Sequence, residues 1–145
     1  TSFDSARPVF VEGESRKIGA LRVPEALIEQ LREQGQCIHV ELAPSARLQL
    51  LLQDYGHFAA DPEGFCRLLE GLVELRGREA VKAWQAQARA GQWAEVFAAL
   101  MQQHYDPLYE RSLRNSYRRL PQAMPLPLAD AEADTLRDAA CRLLG

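Results

Sequence analysis

Hydrophobic positions change their spacing several times along this chain. Near its start, Val9-Phe10-Val11 is an unbroken β-branched and aromatic run that ends on Glu12 and Gly13. Such a run suits a strand covered on both faces, as in the middle of a parallel sheet. Val23-Pro24 then starts a helix, since proline is tolerated in the first turn. Leu27, Ile28 and Leu31 form its apolar side and Gly35 its stop. Over residues 37–42 the period falls to two, with Ile38, Val40 and Leu42 on one face and Cys37, His39 and Glu41 on the other. Strand, helix and strand at this length predict a right-handed βαβ crossover, so residues 9–11 and 37–42 should run parallel.

From residue 44 to 119 the spacing is almost entirely helical. Leu48, Leu51, Leu52 and Tyr55 follow i, i+3, i+4, i+7 and continue towards Phe58. Asp61-Pro62 is a cap followed by proline, opening a stripe of Phe65, Leu68, Leu69 and Leu72. Gly77 interrupts, Val81, Trp84 and Ala88 mark a helix ending at Gly91, and Trp93, Val96, Phe97, Leu100 and Met101 mark another, with His104 on the same face. Asp106-Pro107 repeats the cap signal and opens a helix through Tyr117. Pro125 and Pro127 make residues 123–128 an edge strand or merely an extended segment. Asp130 caps a last helix whose buried side is Leu136, Ala139, Ala140, Leu143 and Leu144. The predicted class is α/β: a frame of residues 1–43 and 120–145 with an all-helical insert, 44–119, between its strands.

Composition narrows this little. The 145 residues suffice for one domain with a core, and 47% hydrophobic with 26% charged residues is ordinary for a globular chain. A net charge of −3 argues against wholesale coating of nucleic acid but leaves room for a local basic face. Only Lys17 and Lys82 are lysine; the other basic residues are arginine. Cys37, Cys66 and Cys141 fall in no metal or disulfide spacing, which suits a reducing cytoplasmic compartment. No run approaches membrane-spanning length. A start at Thr1, without methionine and close before a core-like strand, reads as a fragment of something longer.

Three groups of residues could carry chemistry. Glu12, Glu14, Ser15, Arg16 and Lys17 follow the opening strand into the crevice where α/β sheets bind ligands. The two carboxylates could position Mg²⁺ there, and Arg16 and Lys17 could neutralise a diphosphate. The plainer reading is a solvated turn whose charges pair with one another. Arg47 and Asp54 share one side of a helix that ends in Tyr55-Gly56-His57-Phe58, facing either a ligand or the rim of the core. Last, Tyr105 and Tyr109 precede Arg111, Arg114, Arg118 and Arg119; Arg111, Arg114 and Arg118 recur on one face, with Tyr109, Leu113 and Tyr117 on a neighbouring one. Tyrosines for stacking beside arginines for phosphates are what a single-stranded RNA loop needs, although a solvated helix face has the same pattern. No GxxxxGK[ST], HExxH or GxSxG motif is present, so no catalytic residue can be named.

PVFVEGESRKIG, LRVPEAL, DYGHF and HYDPLY followed by arginines resemble the C-terminal part of bacterial tRNA 2-selenouridine synthase, in order over nearly the whole chain. That family joins a rhodanese-like domain bearing a catalytic cysteine to a P-loop domain. It converts wobble 2-thiouridine of tRNA to 2-selenouridine with selenophosphate, through an S-geranyl intermediate made from geranyl diphosphate. The resemblance therefore implies a transferase of which this chain is the later part of the P-loop domain, with the rhodanese-like domain and phosphate loop upstream. It implies a partial parallel sheet with Glu12 ending the strand beside the phosphate loop and Glu14, Ser15, Arg16, Lys17 and Arg47 about the diphosphate cleft. Under it the helical insert is a lid facing the tRNA anticodon loop, and Phe58, Trp84 or Trp93 could sheath a geranyl tail, although each suits core packing. By omission of the cysteine and the loop, the chain alone should be inactive. A non-catalytic RNA-binding module and a P-loop nucleotide kinase or NTPase relative are the alternatives.

Overall fold

The computed structural model describes residues 8–13 and 16–144. Its central pairing is between β3 (Ile38–Leu42) and β4 (Met124–Leu128), which run parallel with Ile38 opposite Met124 and Leu42 opposite Leu128. The Met124 N–H donates to the Cys37 carbonyl at 3.0 Å, and ladder donors then alternate along β4. Pro125 and Pro127 therefore fall where an N–H would point away from β3. Two prolines on the outer side close β4 as an edge, so the sheet can grow only across β3.

The parallel neighbour of β3 is thus β4 and not the opening run. Val9, Phe10 and Val11 form no strand and lie 57%, 47% and 49% exposed. Strand propensity needs a backbone partner to express itself, and none of the described residues supplies one to this run. Between it and the first helix the chain makes a small antiparallel hairpin, β1 (Lys17–Ile18) and β2 (Leu21–Arg22), turned at Gly19 with φ 61°. Two-residue strands are too short to carry a period, so the sequence pattern passes over them.

The first helix, α1 (Glu25–Gln34), begins after Pro24 and ends where the Gly35 N–H donates to the Leu31 carbonyl. Between β3 and β4 every element is helical: α2 (Pro44–Asp54), α3 (Pro62–Glu70), α4 (Val73–Arg76), α5 (Arg78–Arg89), α6 (Trp93–Leu100) and α7 (Asp106–Ser116), with short 3-10 turns at Gly56–Ala60 and Leu120–Gln122. Asp61 caps α3 as its spacing predicts, accepting the Gly64 N–H at 2.8 Å. Asp130 accepts the Glu132 N–H at 3.0 Å just before the last helix, α8 (Ala133–Leu144). No helix among the described residues is long and apolar enough to cross a membrane.

One core holds α3, α5 and α6 together: Phe65, Cys66, Leu69, Val81, Trp84, Ala88, Val96 and Phe97, with Leu48, Leu52, Phe58 and Trp93 packed against it. Phe65 meets Trp93 and Phe97 edge-on at 5.4 and 5.8 Å. Leu68, expected in the α3 stripe, points outward, and Cys66 takes the inner place. There α3 and α5 are joined by a hydrogen bond from Gln85 Nε2 to the Cys66 carbonyl at 2.9 Å. A small side chain at 66 fits so close a crossing where leucine would not. The frame is thinner than its sequence suggests. Ile28, Leu128 and Ala139 are buried, whereas Leu27, Val40, Met124, Leu136 and Leu144 remain exposed. The α8 stripe thus contributes only Ala139 to the fully buried set.

Gly35 ends α1 with its Cα packed onto the last turn, and a Cβ there would press on the Leu31 carbonyl. Gly35→Ala should lower unfolding free energy by about 1–3 kcal/mol. Gly56→Ala, where a Cβ meets only open space, should change it by less than about 0.5 kcal/mol. Urea unfolding midpoints of the two variants measure the difference.

Candidate functional site

The helical run from Trp93 does not stop at Asp106, as the cap-proline signal predicts. It widens instead into a π turn over Met101–Tyr105 and continues as α7. Pro107 has no N–H for the Gln103 carbonyl, and an α-turn would press its ring on that carbonyl. The wider turn relieves this, with the Asp106 N–H donating to the Met101 carbonyl five residues back.

Three consecutive side chains are aimed by that turn. Asp106 caps nothing; both its oxygens receive the Arg47 guanidinium from α2, at 3.1 and 2.5 Å. This forked hydrogen bond raises the Arg47 pKa further above its ordinary value, against the opposing effect of burial. Tyr105 lies nearly parallel to Tyr109 one turn on, with ring centroids 6.0 Å apart. His104 accepts at Nδ1 from Arg76 Nε at 3.1 Å, while Arg76 Nη2 donates to the His104 carbonyl at 3.1 Å. Burial, and then the Arg76 charge, lower the His104 pKa below its usual value.

His104, Tyr105 and Tyr109, but not the Arg47–Asp106 pair, line an open groove of about 450 Å³ along α7, together with Ser112, Ser116 and Tyr117 among others. Gly13 closes one end, its carbonyl accepting from the Tyr117 hydroxyl at 2.6 Å. Burial raises the Tyr117 pKa and keeps that hydroxyl a donor. The opening segment is thus tied to the groove through its backbone. Tyr109, Leu113 and Tyr117 share a face as their spacing predicts. Nothing in the sequence pattern points to Arg76 or to the bond with Gly13, and Pro107 within an otherwise unbroken helical period is the one local signal of something unusual.

The remaining candidates are dispersed. Glu14 and Ser15 lie outside the described residues. Arg16 is exposed, 3.5 Å from Glu25, and Glu12 and Lys17 are exposed near it in sequence. Arg47 is engaged by Asp106 within the insert, whereas Arg16 is engaged by Glu25 of α1, so the two arginines serve different partners. Among the described residues no three His, Cys, Asp or Glu side chains converge as metal ligands would. Helix α7 ends at Ser116, so Arg118 and Arg119 do not continue the stripe of Arg111 and Arg114. Arg118 pairs with Glu33 at 3.1 Å and Arg119 donates to Gln34 at 3.2 Å, both on α1. Arg114 reaches Glu110 at 3.5 Å, and Arg111 is exposed. Phe58, Trp84 and Trp93 all pack in or on the core. The Cys66 thiol is buried there, which raises its pKa and leaves it a poor nucleophile.

Comparison of the chain with protein-family models, curated proteins and solved structures returned no match.

Two outcomes follow from the site's charges. Arg47→Ala strands a partly buried Asp106 and should cost about 1–3 kcal/mol, of which Arg47→Lys recovers little because lysine cannot fork. Denaturant titration reads both. His104 binds its proton less tightly folded than unfolded, so its contribution favours the fold above about pH 6.5 and is lost as pH falls below that value. The thermal midpoint should therefore drop less between pH 8 and pH 5.5 in His104→Phe than in the parent chain.

Proposed function

We propose that this chain is part of a tRNA-modifying transferase of the 2-selenouridine synthase kind, and that the α7 groove receives an unpaired stretch of the tRNA anticodon loop. The groove is the observation that carries the reading. It lines up two nearly parallel tyrosines, two serine hydroxyls and a histidine along one side of α7, which is a stacking platform with polar groups beside it. The exposed Arg111 and Arg114 stand on the other side of the same helix, where a phosphate backbone passing round it would meet them. In the intact enzyme, selenophosphate and geranyl diphosphate would be handled at a cleft formed with an upstream phosphate loop and rhodanese-like domain. Glu12, Arg16 and Lys17 would border that cleft from this side.

The P-loop-type fold belongs to the same proposal. A parallel pair with one edge sealed by prolines and, among the described residues, no strand on the other suits the margin of a larger sheet, since two-stranded parallel sheets are rarely found alone. The exposed apolar residues of the frame, Val9, Phe10, Val11, Val40 and Leu136 among them, favour the same view. On this reading the chain alone binds RNA without catalysing the transfer, and the intact protein works in the cytoplasm.

Binding of an anticodon stem–loop should fall steeply with salt, and replacing Arg111 and Arg114 by alanine should reduce the log–log slope by about one for each phosphate no longer neutralised. Replacing Arg118 and Arg119 should reduce it less, since both already hold α1. A filter-binding salt titration decides, and a slope unaltered in the Arg111/Arg114 variant overturns the proposal.

A further inference from the structure

Resting on that reading, we infer that His104 is a recognition residue of the groove: held by Arg76 as the neutral Nε2–H tautomer, it donates a hydrogen bond to an acceptor on the edge of an unpaired nucleobase stacked against Tyr105 and Tyr109. The argument starts at Arg76. A guanidinium can only donate, so Nδ1 of His104 must carry the lone pair, and the ring's hydrogen is then on Nε2. A second bond from the same guanidinium to the His104 carbonyl fixes the arginine against the backbone as well as the ring. The imidazole is therefore clamped from α4 and rigid in its tautomer before any ligand arrives, which lowers the cost of binding.

His104 lines the groove, and among the described residues Nε2 has no hydrogen-bond partner. Its charge surroundings are one-sided. Arg76 abuts it from α4, the Arg47–Asp106 fork lies beside the next two residues of the chain, and Tyr105, Tyr109 and Tyr117 are the other titratable groups bordering the groove. Among the described residues no carboxylate bonds to the imidazole, so nothing there favours imidazolium. A neutral donor beside a pair of aromatic rings suits an uncharged planar acceptor, whose ring can stack while its carbonyl or ring nitrogen accepts. A phosphate group, by contrast, would draw a proton onto the histidine and strengthen its binding in acid. The π turn sets the phase of His104 and Tyr105 relative to α7, and both line the groove.

The test uses the chain as it stands, with an RNA stem–loop carrying an unpaired uridine-rich loop, the same RNA with one loop base removed to leave an abasic sugar, and the blunt duplex. Long-range ¹H–¹⁵N NMR should show His104 as the Nε2–H tautomer from pH 8 down to pH 6, and Arg76→Ala should mix the tautomers. His104→Phe, which keeps an aromatic ring and loses the donor, should weaken stem–loop binding by about tenfold, the worth of one hydrogen bond. His104→Asn, which restores a donor, should recover part of that. The parent's preference for the intact loop over some abasic loop position should vanish in His104→Phe. A protonated Nδ1, full affinity in His104→Phe, or an affinity that rises below pH 6.5 through His104 each overturns the inference. Absence of any stem–loop binding by the parent chain overturns the RNA reading itself, which keeps the two failures apart.

Discussion

Pro107 cannot supply an N–H to the turn before it, and the most organised part of this molecule follows from that single missing donor. A helix that meets proline in its interior has three ways out: it ends, it kinks, or it widens. Here the apolar residues before the proline, Val96, Phe97 and Met101, are all buried, and Leu113 continues the apolar side after it. Ending the helix would cost that continuity, and the chain widens instead. The extra residue in the turn shifts His104, Tyr105 and Asp106 out of the phase a regular helix would give them. Asp106 meets Arg47, Tyr105 lies over Tyr109, and His104 meets Arg76. Asp106 and His104 thereby connect α2 and α4 to this turn by polar interactions that no apolar stripe would have made.

The buried core and the α7 groove are separate within the fold. The buried cluster lies wholly in the helices between β3 and β4, so the main packed core among the described residues is in the insert and not at the sheet. The frame's two strands are held chiefly by their own ladder and by Leu128, and the opening segment is held through the Tyr117–Gly13 bond. The groove along α7 lies outside the buried cluster: α7 has no buried residue and joins the packed helices through the π turn. The groove's far end meets an exposed segment through the Tyr117–Gly13 hydrogen bond.

Much of the helical half was legible because long amphipathic runs repeat their signal many times. The α5 stripe of Val81, Trp84 and Ala88 and the Asp61-Pro62 cap are where their spacing put them. The strands were harder. Residues 37–42 show a clean alternation and form a strand over nearly that range, but the identity of the partner is a tertiary fact that neither strand encodes alone. Val9-Phe10-Val11 has the composition of a covered strand and no ladder, since propensity states what a segment can do once a partner is present. Leu68 and Cys66 exchanged places for a similar reason: the stripe gives a face about 100° wide, and how closely α3 approaches α5 decides which residue points to its middle. At the site, the tyrosine face was readable from i, i+4, i+8 spacing. The Arg76–His104 and Arg47–Asp106 pairs were not, being 28 and 59 residues apart in sequence.

Under the RNA reading, charge favours the groove over the surface at large as the point of contact. A chain of net charge −3 has no excess of positive field to gather nucleic acid from a distance. Most arginines near α7 are also occupied locally: Arg47 by Asp106, Arg114 by Glu110, Arg118 by Glu33 and Arg76 by His104. An exposed pair such as Arg114–Glu110 is weak and can be exchanged for a phosphate at little cost, whereas the partly buried Arg47 fork cannot. On its groove side α7 then presents an aromatic wall with serine and histidine groups, and its exposed arginines stand on the opposite side of the helix. Under the RNA reading proposed above, such a wall would discriminate by shape, taking an unpaired base that can enter the groove over a duplex that can only lie across it.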